Sequence, residues 1–568
     1  MTPPTSEPSP APPDWPHCGH GAVRAADPVG CRGAQVPGQT ACLAHLGGAD
    51  RAAYLAALSP GADIDHRGTP FTGELLNELL AALTDAGTGV VSLGDALFEQ
   101  AAFRDDAVFN DAEFRGRAHF DGARFDAQAS FAQTTFARGA WFTEAEFGDR
   151  AWFTEIEFRA MTWFNQAEFH DEVWFNATKF HDYTGFHGTQ FRGDAVFFLA
   201  KFERAVLVGP LACTGKINFD QAEFNAAVTI EASAAVVSCW RTRWASPATL
   251  RLRHAEVDLS DAVLEYPVSV AGRARPFLVN GQDMAETGLR DARVRVVSLR
   301  GVDAAHLVLT DIDLTACLFA GTIHLDQIRL EGQYALATAP LGLRRRGLWP
   351  VRWTPRRMLA EEHHWRHARA AGSSGWSPPP AGEEVLEAAA LAPVYRQLRK
   401  SFEDSKHEPG AADFYYGEME MRRHADDIPP SERSLLTAYW ALSGYGLRAS
   451  RALAWLVAAM TVTVLVMMLW GLPQHAPKPT STGTLTNSRR ITTTTDTPVP
   501  VNPDGPYPAR LSTERFEKSL RVVINSVVFR SSGQDLTTVG TYTEMVSRLT
   551  QPVLLGLAVL CIRNRVKR

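Results

Sequence analysis

The chain has 568 residues with 57 Lys+Arg against 63 Asp+Glu, a net charge of −6 that gives no global reason to expect nucleic-acid binding. A composition of 45% hydrophobic and 21% charged residues excludes wholesale disorder, and seven cysteines over this length exclude a disulfide scaffold. Residues 1–17 are Pro-rich and expected to be disordered. They lack the basic and apolar regions of a signal peptide, so everything before the first apolar span is expected to stay in the cytoplasm. Residues 18–93 read as a Cys/His-rich module with a helical connector. Cys18, Cys31, Cys42 and His45 are its candidate ligands, with His17 and His20 alongside. Cys-x-x-His at 42–45 is half of a tetrahedral zinc site, although the spacing around Cys31 is not that of a common finger. The alternative is unliganded thiols in a small Gly/Pro-rich segment. With so little apolar residue to bury, any metal here would be structural and not catalytic.

From 94 to 332 the chain repeats. Phe stands at 98, 103, 109, 114, 120, 125, 131, 136, 142, 147, 153 and 158, and on to 202, in steps that alternate five and six. The register returns at Phe219 and Phe224. It then continues with Leu259, Leu264, Leu299, Leu309, Leu314, Phe319, Leu325 and Leu330. A helix would throw alternate Phe roughly 140° apart into two separate stripes, at about 100° per residue. The small residue two places before most Phe (Ala112, Ala118, Ala140, Ala151) fits a strand instead, because i and i−2 share a face. Short strands with corners every five or six residues predict a four-sided solenoid with coils of about 22 residues, and about 20 in the Leu block. Irregular coils are expected near 233–247 and 266–288.

Small residue, any residue, Phe or Leu, every five residues resembles the pentapeptide-repeat family. LTDIDLTACLF (309–319) and VDLSDAVL (257–264) are close to its pattern, and the Phe block is similar to its undecad variant. The resemblance implies a mainly β fold, a right-handed quadrilateral β-helix with stacked Phe inside. That fold carries many roles. Some members mimic DNA, but residues 98–206 are only mildly acidic, with 18 Asp/Glu against 11 Lys/Arg. Trp141, Trp152, Trp163 and Trp174 recur every eleven residues and point outward by strand alternation. They are either a contact surface for an unknown protein partner or a set of cross-coil stacks, Trp141 on Trp163 and Trp152 on Trp174.

Residues 333–382 read as a linker, in which Glu361, Glu362, His363 and His364 are expected on a solvated helix. A helical adaptor, 383–446, follows. Its segment YRQLRKSFEDSKHEPGAADFYYGEMEMRRHA reads as two helices around Glu408-Pro409-Gly410, with Leu398, Phe402, Phe414 and Met421 between them. It resembles the helical hairpin that precedes the spans of bacterial membrane-bound pentapeptide-repeat proteins. No paired carboxylate, nucleophile–base set or phosphate loop stands out, so the chain is not read as an enzyme.

Residues 452–472 carry no charge and reach about 31 Å as a helix, enough for one membrane span. A Thr/Pro loop (473–510), a pore-like or re-entrant segment (511–545), a second span (546–562) and a basic tail (563–568) complete the chain. Arg448, Arg451 and the tail's basic residues predict that both termini lie in the cytoplasm, in the inner membrane of a bacterium. FEKSLRVVINSVVF (516–529) followed by LTTVG (536–540) is similar to the pore helix and filter of two-span potassium channels. The resemblance implies that carbonyls of Thr537, Thr538, Val539 and Gly540 would replace an ion's water. The chain continues Thr541-Tyr542-Thr543 where that family has Tyr-Gly-Asp. Taken together, the sequence predicts a membrane-anchored scaffold, or else an ion channel regulated by its solenoid. A homo-oligomer would form through the membrane segment.

Overall fold

The computed structural model describes residues 12–23, 27–204, 206–340, 343–346, 349–352, 354–369, 375–474, 478–486, 490–496, 498–528 and 530–566. Most of the Pro-rich tail, and Lys567 and Arg568 of the basic tail, lie outside the described residues. The chain divides into two units, 1–386 and 387–568.

The first unit is a β-solenoid of about eleven turns. Each side of a coil is a strand of two residues, as at Ala140–Trp141, Glu146–Phe147, Ala151–Trp152 and Glu157–Phe158. Each pairs in parallel one coil later: Ala140 with Thr162, Glu146 with Glu168, Ala151 with Val173, Glu157 with Lys179. Inside, Phe153 lies face to face with Phe131 (5.3 Å, 7°) and Phe175 (5.0 Å, 12°) and edge-on to Phe142 (5.5 Å, 87°). These are the two aromatic geometries the ring quadrupole favours. Thr replaces the inner Ala at 134, 178 and 189 without leaving an orphan hydroxyl, because each donates to a Phe carbonyl of the coil before.

The alternation of five and six has a local cause. Each five-residue step turns through one residue in the left-handed region, as at Asp111, Gln133, Glu144, Glu155 and Gln166 (φ 56 to 59°). Each six-residue step spends its extra residue on a wider bend, as at Gly148–Arg150.

Two expectations about the repeat are corrected. Residues 233–247 keep the register: Val228–Ser238 pairs with Ala248–Arg253 and with Glu256–Asp258, and Trp244 lies face to face on Phe224 at 4.5 Å. A Trp in the inner place hides the pattern from a search for Phe. Val268–Gly272 also stays in register, paired with Ala248–Leu252 and with Leu307–Thr310. The excursion starts at 273 and contains one antiparallel hairpin, Leu278–Val279 with Gln282–Asp283.

Both ends of the solenoid are covered. At the start, Ala34 N–H donates to the Arg67 carbonyl at 2.7 Å, and the Trp15 indole donates to the Arg32 carbonyl at 2.9 Å with Arg67 over its ring. Residues 12–17 are thus tied down and not free. Helices α1 (Gly48–Ala57) and α2 (Gly73–Ala82) follow, the second N-capped by Thr72 and burying Leu75, Leu76, Leu79 and Leu80.

At the far end the expected solvated helix is corrected. Helix α3 (Ala360–Arg369) buries Glu361 and Glu362. The Glu361 carboxylate accepts the backbone N–H groups of Phe319 (2.5 Å) and Ala320 (2.9 Å). Glu362 accepts from Arg356 (2.5 and 2.6 Å) and Arg366 (2.7 Å). A solenoid end presents unpaired groups that need a cap, and much of the supposed linker supplies it.

In the second unit, α4 (Ala388–Asp404) and α5 (Glu408–His424) form a hairpin with Leu398, Phe402, Phe414 and Met421 buried. The turn falls at 405–407, where the His407 ring accepts the Gly410 N–H. Helix α6 (Pro430–Ser443) leads through Gly444, Tyr445 and Gly446, all at positive φ, into α7 (Ala449–Val466) and a π-helical turn to Gly471. After a strand pair (Thr480–Thr486, Arg490–Asp496) come α8 (Tyr507–Arg510), α9 (Thr513–Val527) and α10 (Thr538–Val566). Ala449–Gly471 and Thr538–Arg563 are long and apolar enough to cross a membrane.

Candidate functional site

Two knuckles build the N-terminal site. In one, Cys18 and Cys31 lie on facing extended segments: Cys18 N–H donates to the Gly33 carbonyl and Cys31 N–H to the His20 carbonyl (2.8 and 2.9 Å). Gly19, Gly21 and Gly30, all at positive φ, turn the chain between them. In the other, a 3₁₀ turn, Leu43–His45, brings His45 back toward Cys42. Gly33 lets the knuckles meet, since a Cβ there would lie 2.7 Å from that of Cys42.

The ligand atoms of Cys18, Cys31, Cys42 and His45 all fall within 4.8 Å of one another. Cys31 and Cys42 sulfurs are 3.7 Å apart, and His45 Nδ1 lies 3.6 Å from Cys18 Sγ and 3.3 Å from Cys42 Sγ. A tetrahedron with bonds near 2.3 Å to sulfur has edges of about 3.8 Å, so this donor set fits a tetrahedral ion. The Cys42 thiol beside Cys31, helped by the Gly33 N–H, holds the Cys31 thiol down to about 5, despite burial, while the same neighbour and burial push Cys42 up. His20 stacks on His45 at 4.2 Å, and both it and His17 lie outside the cluster.

The four tryptophans are half-buried and not fully exposed. Trp152 stacks on Trp174 (5.4 Å, 10°). The expected Trp141–Trp163 stack is replaced: Trp141 lies flat on His119 (4.4 Å, 2°), and Trp163 leans over Gly185, where a Cβ would meet its ring at 2.4 Å. Met161 and Tyr183 beside them are exposed.

The filter expectation at 537–540 is overturned. Thr538, Val539 and Gly540 form the first turn of α10, so their carbonyls belong to a helix and not to an extended, ion-facing run. Thr537 acts as its cap: its hydroxyl accepts the Gly540 N–H (3.2 Å) and donates to the Trp470 carbonyl (2.7 Å). Gly540 abuts Gly471, and a Cβ on Gly540 would lie 2.2 Å from the Gly471 carbonyl oxygen. The string is a cap and a helix crossing. No re-entrant stretch reaches 545, because the helix already runs from 538. Deeper in the bundle, Gln551 donates to the Thr463 hydroxyl at 3.2 Å and ties α10 to α7.

One further site had no signal in the spacing. Glu286, in the 273–292 excursion, accepts from Ser233 (2.7 Å) and from Arg253 (2.6 and 2.9 Å), and lies 3.0 Å from His254 Nε2. Burial alone would raise this carboxyl, but Arg253, His254 and Ser233 together hold it down to about 2.

A family model described as pentapeptide repeats (9 copies) matches residues 91–135, 109–157 and 142–190. No curated protein and no solved structure matches the chain. The matched stretches are the coils in which Phe fills the inner place and a small residue sits two before it, and residues 91–190 are pentapeptide repeats of the Phe-rich kind.

Proposed function

We propose that the chain is a membrane-anchored scaffold that offers the solenoid to a protein partner on the cytoplasmic side. The observation that carries it is a long solenoid, closed at both ends, in one chain with two helices of membrane-spanning length. A capped solenoid stays single and keeps its lateral faces for other molecules. Basic residues beside both spans favour cytoplasmic termini. Proximity labelling from the solenoid in native membranes tests the scaffold: a reproducible protein neighbour lost on deletion of residues 94–332 supports it, and an unchanged neighbour set refutes it. Topology has its own test. Ser481→Cys should react with an impermeant thiol reagent in intact cells and Arg138→Cys should not, both positions being exposed.

In this reading Cys18, Cys31, Cys42 and His45 hold a structural zinc ion. The ion supplies a cross-link in a segment with little core, and four protein donors leave no open position for a substrate. The channel reading is the weaker one, because three of its four filter residues, Thr538 to Gly540, are helical.

A further inference from the structure

We propose that the face around Ser233, Arg253 and His254 is a carboxylate-reading docking site for an extended acidic segment of a partner protein, occupied in this chain by its own 273–292 excursion. This rests on the scaffold reading and gives it a place.

Ser233 and Arg253 are register partners on neighbouring coils, 0% and 5% exposed. His254 follows at a corner in the left-handed region (φ 63°), which turns its ring to the same place. Donors on three residues thus converge on one carboxylate. A second contact is apolar: Phe277 and Met284 are buried with Ala212, and Val279 packs beside them. Met284 and Glu286 are two apart, so one extended strand delivers both to the face.

The excursion itself is lightly held. Its own structure is the two-pair hairpin with backbone bonds from Met284 N–H to the Phe277 carbonyl and from Leu289 N–H to the Glu286 carbonyl. Leu278 in the hairpin is 59% exposed, and at the tip the Asn280 amide donates to Gln166 Oε1 at 2.8 Å. Few buried apolar contacts mark a segment that opens far more readily than a Phe-filled coil. Once it lifts, Arg253 is left in a cleft without its carboxylate, and a buried cation demands an acid in return. The partner is therefore a strand or hairpin bearing Asp or Glu two residues after a large apolar side chain.

The test uses the full chain in detergent with residues 274–291 replaced by a short Gly-Ser link, and a fluorescent peptide of residues 274–290. Saturable micromolar binding to the excised chain is expected. Binding should be about tenfold or more weaker with the Glu286→Gln peptide or on an Arg253→Gln chain, since charge-assisted bonds are the strong ones. Absence of binding to an excised chain that still melts cooperatively, or equal binding of the Glu286→Gln peptide, overturns the proposal. If excision prevents folding, hydrogen exchange on the intact chain decides. Amides of 278–286 should exchange at least about a hundredfold faster than those of 228–238, and equal protection overturns the proposal. Peptide binding without any protein neighbour in membranes would sink the scaffold reading and leave the docking site standing.

Discussion

The two ends of the solenoid meet the same demand with different chemistry. At the start, three thiols and an imidazole converge in a segment with almost no core. At the far end, a helix lays two carboxylates against backbone N–H groups and two arginines. On the zinc reading, the first cap is a cross-link that a chelator can withdraw. The second is covalently part of the fold and fails only by mutation or titration. Between them, aromatic stacking carries the load without either.

The largest effects test whether the ends are independent of the middle. Phe153→Ala should cost about 3–5 kcal/mol in urea melts, felt over the whole solenoid. Glu362→Ala should cost a similar amount, about 3–5 kcal/mol, because it strands Arg356 and Arg366 in the interior, but exchange protection should be lost only beyond about residue 300. Protection lost throughout would show that the caps are not separate devices. Next comes metal removal. The purified chain should carry about one zinc, and a chelator should loosen residues 12–70 while leaving 300–369 untouched. Elemental analysis that finds no metal, or a Cys18→Ser chain that keeps it, removes the metal cap.

Glu361→Gln should be milder, about 1–3 kcal/mol, because its amide oxygen still accepts the Phe319 and Ala320 N–H groups but its NH2 is buried where the second carboxylate oxygen has no partner.

Acid should drive the two ends in opposite directions. Burial raises the Glu361 carboxyl above its ordinary value of 4.5. The folded cap therefore binds its proton more readily than the unfolded chain does, and it gains stability as pH falls through its folded pKa toward 4.5. On the zinc reading, acid releases the metal from its ligands, so the first cap weakens as pH falls. Parallel loss at both ends between pH 7 and 5, read by exchange, would break the contrast. The smallest effect concerns a corner. Glu155→Gly relieves a left-handed residue but gives up the Gln133 amide bond at 3.0 Å, and the net change should stay within about 1 kcal/mol.

What the sequence showed was what repeats. Every inner Phe from 98 onward was legible, because a period of eleven is a local property and the stack amplifies it, but Phe71, stacked on Phe103 one coil earlier, stands outside the run and was missed. Trp244 was not, since it breaks the alphabet while keeping the place. The far cap was illegible for another reason: Glu361 meets Phe319 across 42 residues, and no periodicity links them. The string Thr537–Gly540 shows the opposite failure. Its letters matched a filter, but a hydroxyl before a turn of backbone N–H groups is also a helix cap, and the contact with Gly471 that decides between them lies on another helix. The Cys/His spacing announced ligands, while the glycines that let the knuckles close had no pattern to be found by.

Because Ala140 pairs with Thr162, a cut after Gly139 and a rejoin at Thr162 would return every following residue to an equivalent seat one floor down. The Phe column, the left-handed corners and both caps would be unchanged in kind. Such a molecule lengthens or shortens in whole storeys, like a staircase, and a change of one residue anywhere in a flight is the costly one. Evolution can therefore tune the length of this solenoid without redesigning its interior.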